Sequence, residues 1–390
     1  VHRPRKVALL VETSNAYARE LLHGVRAWLR EHGGWTIALG EAGRGAPPPA
    51  WLSGWNGDGI IARIETPAIA KAVAATRLPA VDLSAARLLP NLPWLETHDR
   101  AVARVAAEHL RERGFQHFAY CGDPRFNWSR WRGDAFVAQL ASQGHDCAVF
   151  ATKEISGNGG AQPVELEKDT AELARWIRKL PKPLAIFAAY DIRGLQVLEV
   201  CRRLELHVPD EVAVLGVDND ELLCDLADPP LSSVMPDVRR TGYEAAALLD
   251  RMMRGEKVLN EGRLFEPRGV AVRQSTDVVA VTDRHIATAV RYIRLHACEG
   301  IGVADVVKQV PMSRRVLETR FRKLLGCSPH DQILKVKLDR VKQLLSETDL
   351  PLVAIADKTG FAHVEYLSVA FKKNVGLTAT EFRLGTRGGK

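Results

Sequence analysis

Along the first ~270 residues, short runs of apolar side chains alternate with amphipathic stretches. The runs are Val7–Val11, Gly59–Ala62, Ala80–Leu83, Phe118–Cys121, Leu184–Phe187 and Val212–Val217. Near-continuous apolar runs of this length read as strands buried on both faces, as in a parallel sheet. The stretches between them carry a helical period. From Ala101 to Arg113, the side chains of Val102, Val105, Ala106, His109 and Leu110 share one face, and Ala171–Leu180 and Gly194–Leu204 behave alike. Repeated strand–helix alternation predicts an α/β fold with parallel sheets. Its length exceeds that of one doubly wound sheet, so two lobes flanking a cleft are expected.

From about Ile286 the pattern is helical only. The expected organisation is a two-lobed body at 1–273, a linker at 274–285 and an all-α domain at 286–390. Gly43–Pro49 and Ser156–Gly160 read as loops. The second superficially suggests a phosphate loop, but it lacks the Lys-Ser/Thr pair and helix start that such a loop uses.

The helical domain repeats itself at an offset of 50. Phe321-Arg322-Lys323-Leu324-Leu325-Gly326 answers Phe371-Lys372-Lys373-Asn374-Val375-Gly376, and Leu317 answers Leu367. Leu and Phe four apart mark one buried helix stripe, used twice. Before each stripe lies a short helix and a turn. Leu352–Lys358 precedes Gly360, which permits a tight turn at positive φ, and then His363–Asn374. Val303–Val310 precedes Pro311-Met312-Ser313, with Ser313 capping Arg314–Leu325. Each unit is therefore a predicted helix-turn-helix.

Charge sharpens this picture. The chain carries 54 Lys and Arg against 47 Asp and Glu, and residues 284–390 alone hold 19 against 10. The basic excess is thus confined to the helical domain, which points to a polyanionic partner. Opposite the buried stripes lie Arg314, Arg315, Glu318, Thr319 and Arg322 in one helix and Glu365, Ser368 and Lys372 in the other, with Ser313 and His363 at the helix starts. Arg reads guanine and Glu accepts from cytosine in the major groove, whereas Arg and Lys further along suit phosphates. These ten residues are the DNA-binding candidates.

The pattern Ile355-Ala356-x-x-x-Gly360-Phe361, Phe371-Lys372-Lys373-x-x-Gly376-x-Thr378 and Phe382-Arg383 resembles the AraC/XylS DNA-binding family over about 100 residues. The resemblance implies two helix-turn-helix units joined by a long helix, here Asp331–Glu347, entering successive major grooves at direct-repeat half-sites. The chain departs from the family at Ala379, where Pro is usual.

In an open parallel sheet, ligands bind beyond the carboxyl ends of the strands. Glu12 and Ser14 follow the first strand, with Tyr17 just beyond. Asp123 and a loop with Trp128, Trp131 and Arg132 follow another, Tyr190 and Asp191 a third, Asp218 and Asn219 a fourth. Carboxylates, guanidinium, amide and indoles suit a sugar, which offers several hydroxyls and a C–H face. The ligand-binding candidates are Glu12, Ser14, Tyr17, Trp131, Arg132, Tyr190, Asp191, Asp218 and Asn219. Asp191 also stands where it could cap the next helix. Trp128 could serve lobe packing instead.

Ser14-x-x-Tyr17-x-Arg19-x-Leu21-Leu22-x-Gly24, Asp99–Gly114 and Leu215-Gly216-Val217-Asp218-Asn219 with Pro229–Val234 resemble the LacI/GalR-type periplasmic-binding-protein-like sensors. That family's sugar-binding Arg falls on Arg132 and its cleft Asp on Asp218; its strand-end Asn-Asp pair is Tyr190-Asp191 here. Its N-terminal helix-turn-helix is not expected here. The junction Tyr292-Ile293-Arg294-x-His296-Ala297-Cys298-x-Gly300-Ile301-x-Val303 is similar to pentose-responsive regulators that join these two domains. The resemblance implies a transcriptional activator with D-xylose as effector, acting as a homodimer alongside RNA polymerase. A hexose, a nucleoside or a sugar acid is the alternative effector. A carbohydrate enzyme using Asp191 and Asp218 as paired carboxylates is the alternative class, but no catalytic motif supports it.

No cofactor or metal is called for. The six cysteines are scattered, without CxxC or a disulfide framework, which suits a reducing cytoplasm. No apolar run reaches the 18 residues of a membrane span, and Val7–Val11 is too short for a signal-peptide core.

Overall fold

A computed structural model describes residues 3–150, 163–258, 262–277, 283–348 and 350–387. The Ser156–Gly160 segment and most of the expected linker lie outside these residues. The chain divides into two compact units, Val1–Val278 and Val279–Lys390.

The first unit holds two sheets. One contains β1 (Arg5–Leu10), β2 (Trp35–Leu39), β3 (Gly59–Ala62), β4 (Ala80–Asp82), β5 (Trp94–Thr97) and β11 (Gly262–Phe265), in the order β11-β5-β4-β3-β1-β2. The other contains β6 (His117–Cys121), β7 (Cys147–Phe150), β8 (Leu184–Ala188), β9 (Val212–Val217), β10 (Ser232–Met235) and β12 (Gly269–Ala271), in the order β12-β10-β9-β8-β6-β7. All pairings are parallel except β10 with β12. The two sheets repeat one plan. The first strand of each, β1 or β6, has the second on one side and the third on the other. The chain reverses direction across the sheet there, and two adjacent loops splay apart to open a crevice.

Helices α1 (Ala16–His32), α2 (Pro67–Thr76), α3 (Asp99–Glu112), α4 (Asn127–Ala141), α5 (Pro163–Lys179), α6 (Asp191–Arg203), α7 (Glu221–Leu226) and α8 (Val238–Met253) accompany the strands. The buried faces of α1 and α8 share one core with β1, through Leu21, Val25, Trp28, Ala245 and Leu249. Their backbones touch: a Cβ on Gly24 would lie 2.1 Å from the Arg239 carbonyl oxygen, and one on Gly242 2.1 Å from that of Leu21. The chain passes between lobes three times, from β5 to α3, from β10 to α8 and from β11 to β12. The crossings are tied together by His98 N–H to Phe265 O (2.8 Å) and Arg268 N–H to Met235 O (2.7 Å).

One boundary needs correction. The linker was expected from Gln274, but Gln274–Thr276 form a turn of helix seated in the second lobe. Ser275 and Thr276 are fully buried; the Ser275 hydroxyl donates to Val214 O (2.6 Å), and Thr276 Oγ1 lies 2.9 Å from His109 Nε2. Burial holds that imidazole neutral by lowering its pKa to about 3. Polar Gln-Ser-Thr reads as linker until this pairing is seen.

The second unit is helical: α9 (Arg284–His296), α10 (Val303–Val307), α11 (Arg314–Leu325), α12 (Pro329–Glu347), α13 (Leu352–Lys358), α14 (Val364–Val375) and α15 (Ala379–Arg387). It has two small cores. Ile286, Val290, Ile293, Val306, Leu317 and Phe321 form the first, Ile355, Phe361, Leu367, Ala370 and Phe371 the second. The long α12 serves both, giving Ile333 to one and Leu338, Val341 and Leu345 to the other. Gly360, at φ 66°, approaches so closely that a Cβ would lie 2.6 Å from Cys298 O and from Gly300 N. At Ala379 the absent proline is offset by a capping box, with Thr378 and Glu381 bonding each other's backbone N–H groups.

Candidate ligand cleft and DNA-reading faces

The strand ends of the two lobes face one another across a cleft of about 590 Å³. Its walls include Ser14, Tyr17 and Arg44 from the first lobe and Trp128, Tyr190 and Asp218 from the second. A chamber of about 30 Å³ at its floor is lined by Tyr17, Arg44, Arg63, Trp128, Arg132 and Asp218, among others. Asn127 Nδ2 donates to Ala85 O across the mouth (2.9 Å).

Arg132 and Arg63 are held by partners within the protein. Arg132, 4% exposed on α4, donates from Nε and Nη2 to Asp99 Oδ1 (3.1 and 2.7 Å) and from Nη1 to the Ala189 carbonyl. Burial raises the pKa of Asp99, and the Arg132 charge opposes it. Arg63, at the end of β3, donates to both Glu12 oxygens (3.2 and 3.0 Å) and to Glu65, with its guanidinium 5.3 Å from the Tyr17 ring centre. Tyr17 Oη sits 3.1 Å from Thr97 Oγ1, and burial keeps the phenol protonated.

Asp218 follows β9 at φ 104°, a conformation costing a non-glycine residue of order 1–3 kcal/mol. Its N–H to Val234 O (3.1 Å) and the Asn219 N–H to Ser233 Oγ (3.0 Å) hold the turn there. Among the described residues its carboxylate accepts no hydrogen bond, while Arg132, Arg44 and Arg63 partly offset the rise in pKa that burial causes. Asp191 is the contrasting carboxylate. It accepts from the Asp220 N–H (2.8 Å) and the Ser233 hydroxyl (2.6 Å), joining three strand ends. Burial and the neighbouring Asp218 charge push its pKa well up.

Among the expected ligand residues, Ser14, Tyr17, Arg132, Tyr190, Asp191 and Asp218 line these spaces. Three do not. Glu12 stands behind Arg63, which occupies both its oxygens. Trp131 is 40% exposed on another face of α4, beside Arg87, Trp94 and Asp134, whereas Trp128 and Arg132, four apart, share the cleft face. Asn219 turns its amide oxygen to Arg273 (2.8 Å). Asp191 also makes no cap: Tyr190 is the N-cap position of α6, without a side-chain bond. Sequence reasoning missed Arg44, Arg63 and Thr97. Arg63 carried a signal, since it directly follows the Gly59–Ala62 run; Arg44 sits in a loop with none.

The second unit presents its charges differently. Arg315, Arg322, His363, Glu365 and Lys372 are exposed opposite buried Leu317, Phe321, Leu367 and Phe371. Ser313 caps α11 by accepting from the Val316 N–H (3.4 Å). Arg314 pairs with Glu318 (2.9 Å) one turn on. Thr319 and Ser368 donate their hydroxyls to Arg315 O and Val364 O, each 2.9 Å away. Tyr366 and Val369, 51% and 67% exposed, share the α14 surface and were not foreseen. They supply apolar area suited to a thymine methyl.

Residues 6–99 match the model of the XylR N-terminal domain, 107–276 that of a periplasmic binding protein-like domain, and 306–385 that of a helix-turn-helix domain. The xylose operon regulatory protein of Escherichia coli K12 is 32% identical over 97% of this chain and 96% of its own length. The chain belongs to the xylose operon regulatory protein family. The Haemophilus influenzae Rd member is 30% identical over 97% of this chain and 98% of its own. A solved structure of the xylose-binding transcription activator XylR aligns at 32% identity, covering 97% of each chain, with a TM-score of 0.79. Members of this family are DNA-binding transcriptional regulators rather than enzymes, and so is this chain. No helix among the described residues is long and apolar enough to cross a membrane.

Proposed function

We propose that the chain is a cytoplasmic, D-xylose-responsive activator of a sugar-catabolism operon. The observation that carries this reading is the convergence of Arg132, Asp218, Tyr17 and Trp128 at two facing strand-order reversals, supported by the xylose named for its relatives. Fixed charges offer donors and acceptors to hydroxyls at little reorganisation cost, and indole and phenol faces suit a pyranose C–H surface. The chain crosses between the lobes three times, and a sugar touching both favours their approach. In this reading Arg315 and Glu318 read bases from α11, Glu365 and Tyr366 do so from α14, and Arg322, Lys323, Lys372 and Lys373 hold phosphates. A homodimer would place two such readers on direct-repeat half-sites beside RNA polymerase.

Every guanidinium of the cleft except that of Arg44 faces a carboxylate of its own, and Arg44 stands opposite Asp218. The balance favours a neutral sugar over a sugar acid. Calorimetry with pentoses, hexoses, a nucleoside and a sugar acid tests this. D-xylose should bind most tightly; tighter binding of an acid or nucleoside would replace the assignment.

A further inference from the structure

Arg44 belongs to a loop fastened to the end of β1. Thr13 N–H donates to Ala42 O (2.9 Å), and Ala42 N–H returns to Thr13 Oγ1 (3.3 Å). Ala46 N–H closes a turn on Gly43 O (3.2 Å), with Gly45 at φ 75°. The turn holds Arg44 over the opposite lobe, its guanidinium carbon 5.0 Å from the Phe126 ring centre and 5.9 Å from that of Trp128. Those two rings stack on each other at 5.1 Å, and Trp128 meets Tyr190 edge-on at 5.6 Å. A first-lobe cation thus rests on an aromatic stack of the second lobe.

Its polar side is unanswered. The Arg44 Nε–H is buried and meets no acceptor among the described residues, and the Asn15 Nδ2 of the same cleft is in the same position. A buried donor left unpaired is costly, more so when charged, so such donors mark where an acceptor from outside belongs. The floor chamber that Arg44 shares with Asp218 and Arg132 has room for a hydroxyl group.

We infer that Arg44 is a specificity-determining residue of the effector site. It donates from the first lobe to one hydroxyl of the bound sugar while its face stays on Phe126 and Trp128 of the second, so that occupancy and lobe approach reinforce each other. This rests on the sugar reading given above. The hydroxyl concerned also faces Asp218, and its removal strands both partners.

The test uses the full chain, D-xylose and the set of its monodeoxy analogues in calorimetry, with wild type, Arg44→Met and Arg44→Lys. Met keeps an unbranched stem without the guanidinium; Lys keeps the charge without the Nε–H. Arg44→Met should weaken D-xylose binding about tenfold or more. It should also lose wild type's discrimination against one deoxy analogue and keep it against the others. Arg44→Lys should fall between the two. Circular dichroism without sugar should show both variants folded as wild type. If wild type binds D-xylose and Arg44→Met retains both affinity and the whole analogue ranking, the Arg44 assignment is overturned and the sugar reading stands. If wild type binds no pentose, the sugar reading falls and takes Arg44 with it.

Discussion

The cleft and the reading faces use the same residue types in opposite ways. In the cleft, two arginines are buried and committed: Arg132 to Asp99 and the Ala189 carbonyl, Arg63 to Glu12 and Glu65. On α11 and α14, Arg315, Arg322, Lys372 and Lys373 stand in solvent. A buried, paired charge has fixed geometry and discriminates by shape and hydrogen bonding. An exposed one acts through long-range attraction, which salt screens. The contrast suits a small neutral ligand on one side and a polyanion on the other.

Removing one cleft charge should have the largest effect. Arg132→Ala leaves Asp99 buried without its partner, which costs roughly 3–5 kcal/mol for such pairs. Denaturant unfolding should show that loss, and sugar titration no response, while the helical unit still binds DNA. A retained response would remove Arg132 from the site. On the reading face, Arg315→Ala should cost roughly 1–3 kcal/mol at the cognate site if it contacts a base. Equal weakening on random DNA would make it a phosphate contact, and the division between base-reading and phosphate-holding side chains would have to be redrawn.

The same division appears in pH. Burial raises the Glu96 pKa to about 8, although Arg87 lies 3.0 Å away. The folded state therefore binds this proton more tightly than the unfolded chain does. Its stabilising contribution is complete below the unfolded pKa, near 4.3, and is lost as pH rises toward 8. Stability of the first unit should fall across that window, and Glu96→Gln should flatten the fall. The smallest effect belongs to single surface lysines. Lys373→Ala should weaken DNA binding on all sequences alike and shorten the log–log salt slope by about 1. Sugar affinity should barely respond to salt.

What the sequence disclosed follows this physical division as well. The six apolar runs correspond to β1, β3, β4, β6, β8 and β9, whose residues are almost wholly buried. The edge strands β2, β7, β11 and β12 are partly exposed; Thr36 and Arg263 interrupt the apolar pattern of β2 and β11, whereas β7, Cys147-Ala148-Val149-Phe150, is an apolar run that lies at an edge. The helix-turn-helix repeat was legible because its signals are local: stripes four apart, Gly at turns, Ser at a cap. The cleft is long-range. Strand order brings Arg44 and Arg63 to Asp218 from far along the chain, and no local pattern announces that. Choosing Trp131 over Trp128 was a matter of helix phase. Both indoles lie within one turn of Arg132, and only the packed lobe decides which faces it.

A sugar held at Arg132 and Asp218 should change how the readers engage DNA. Footprinting of the full chain on its operator, with and without D-xylose, tests it most directly when Arg132→Ala is run alongside. D-xylose should extend or strengthen protection by wild type, while the variant should keep its sugar-free footprint at every xylose concentration. Identical wild-type footprints with and without D-xylose would contradict it.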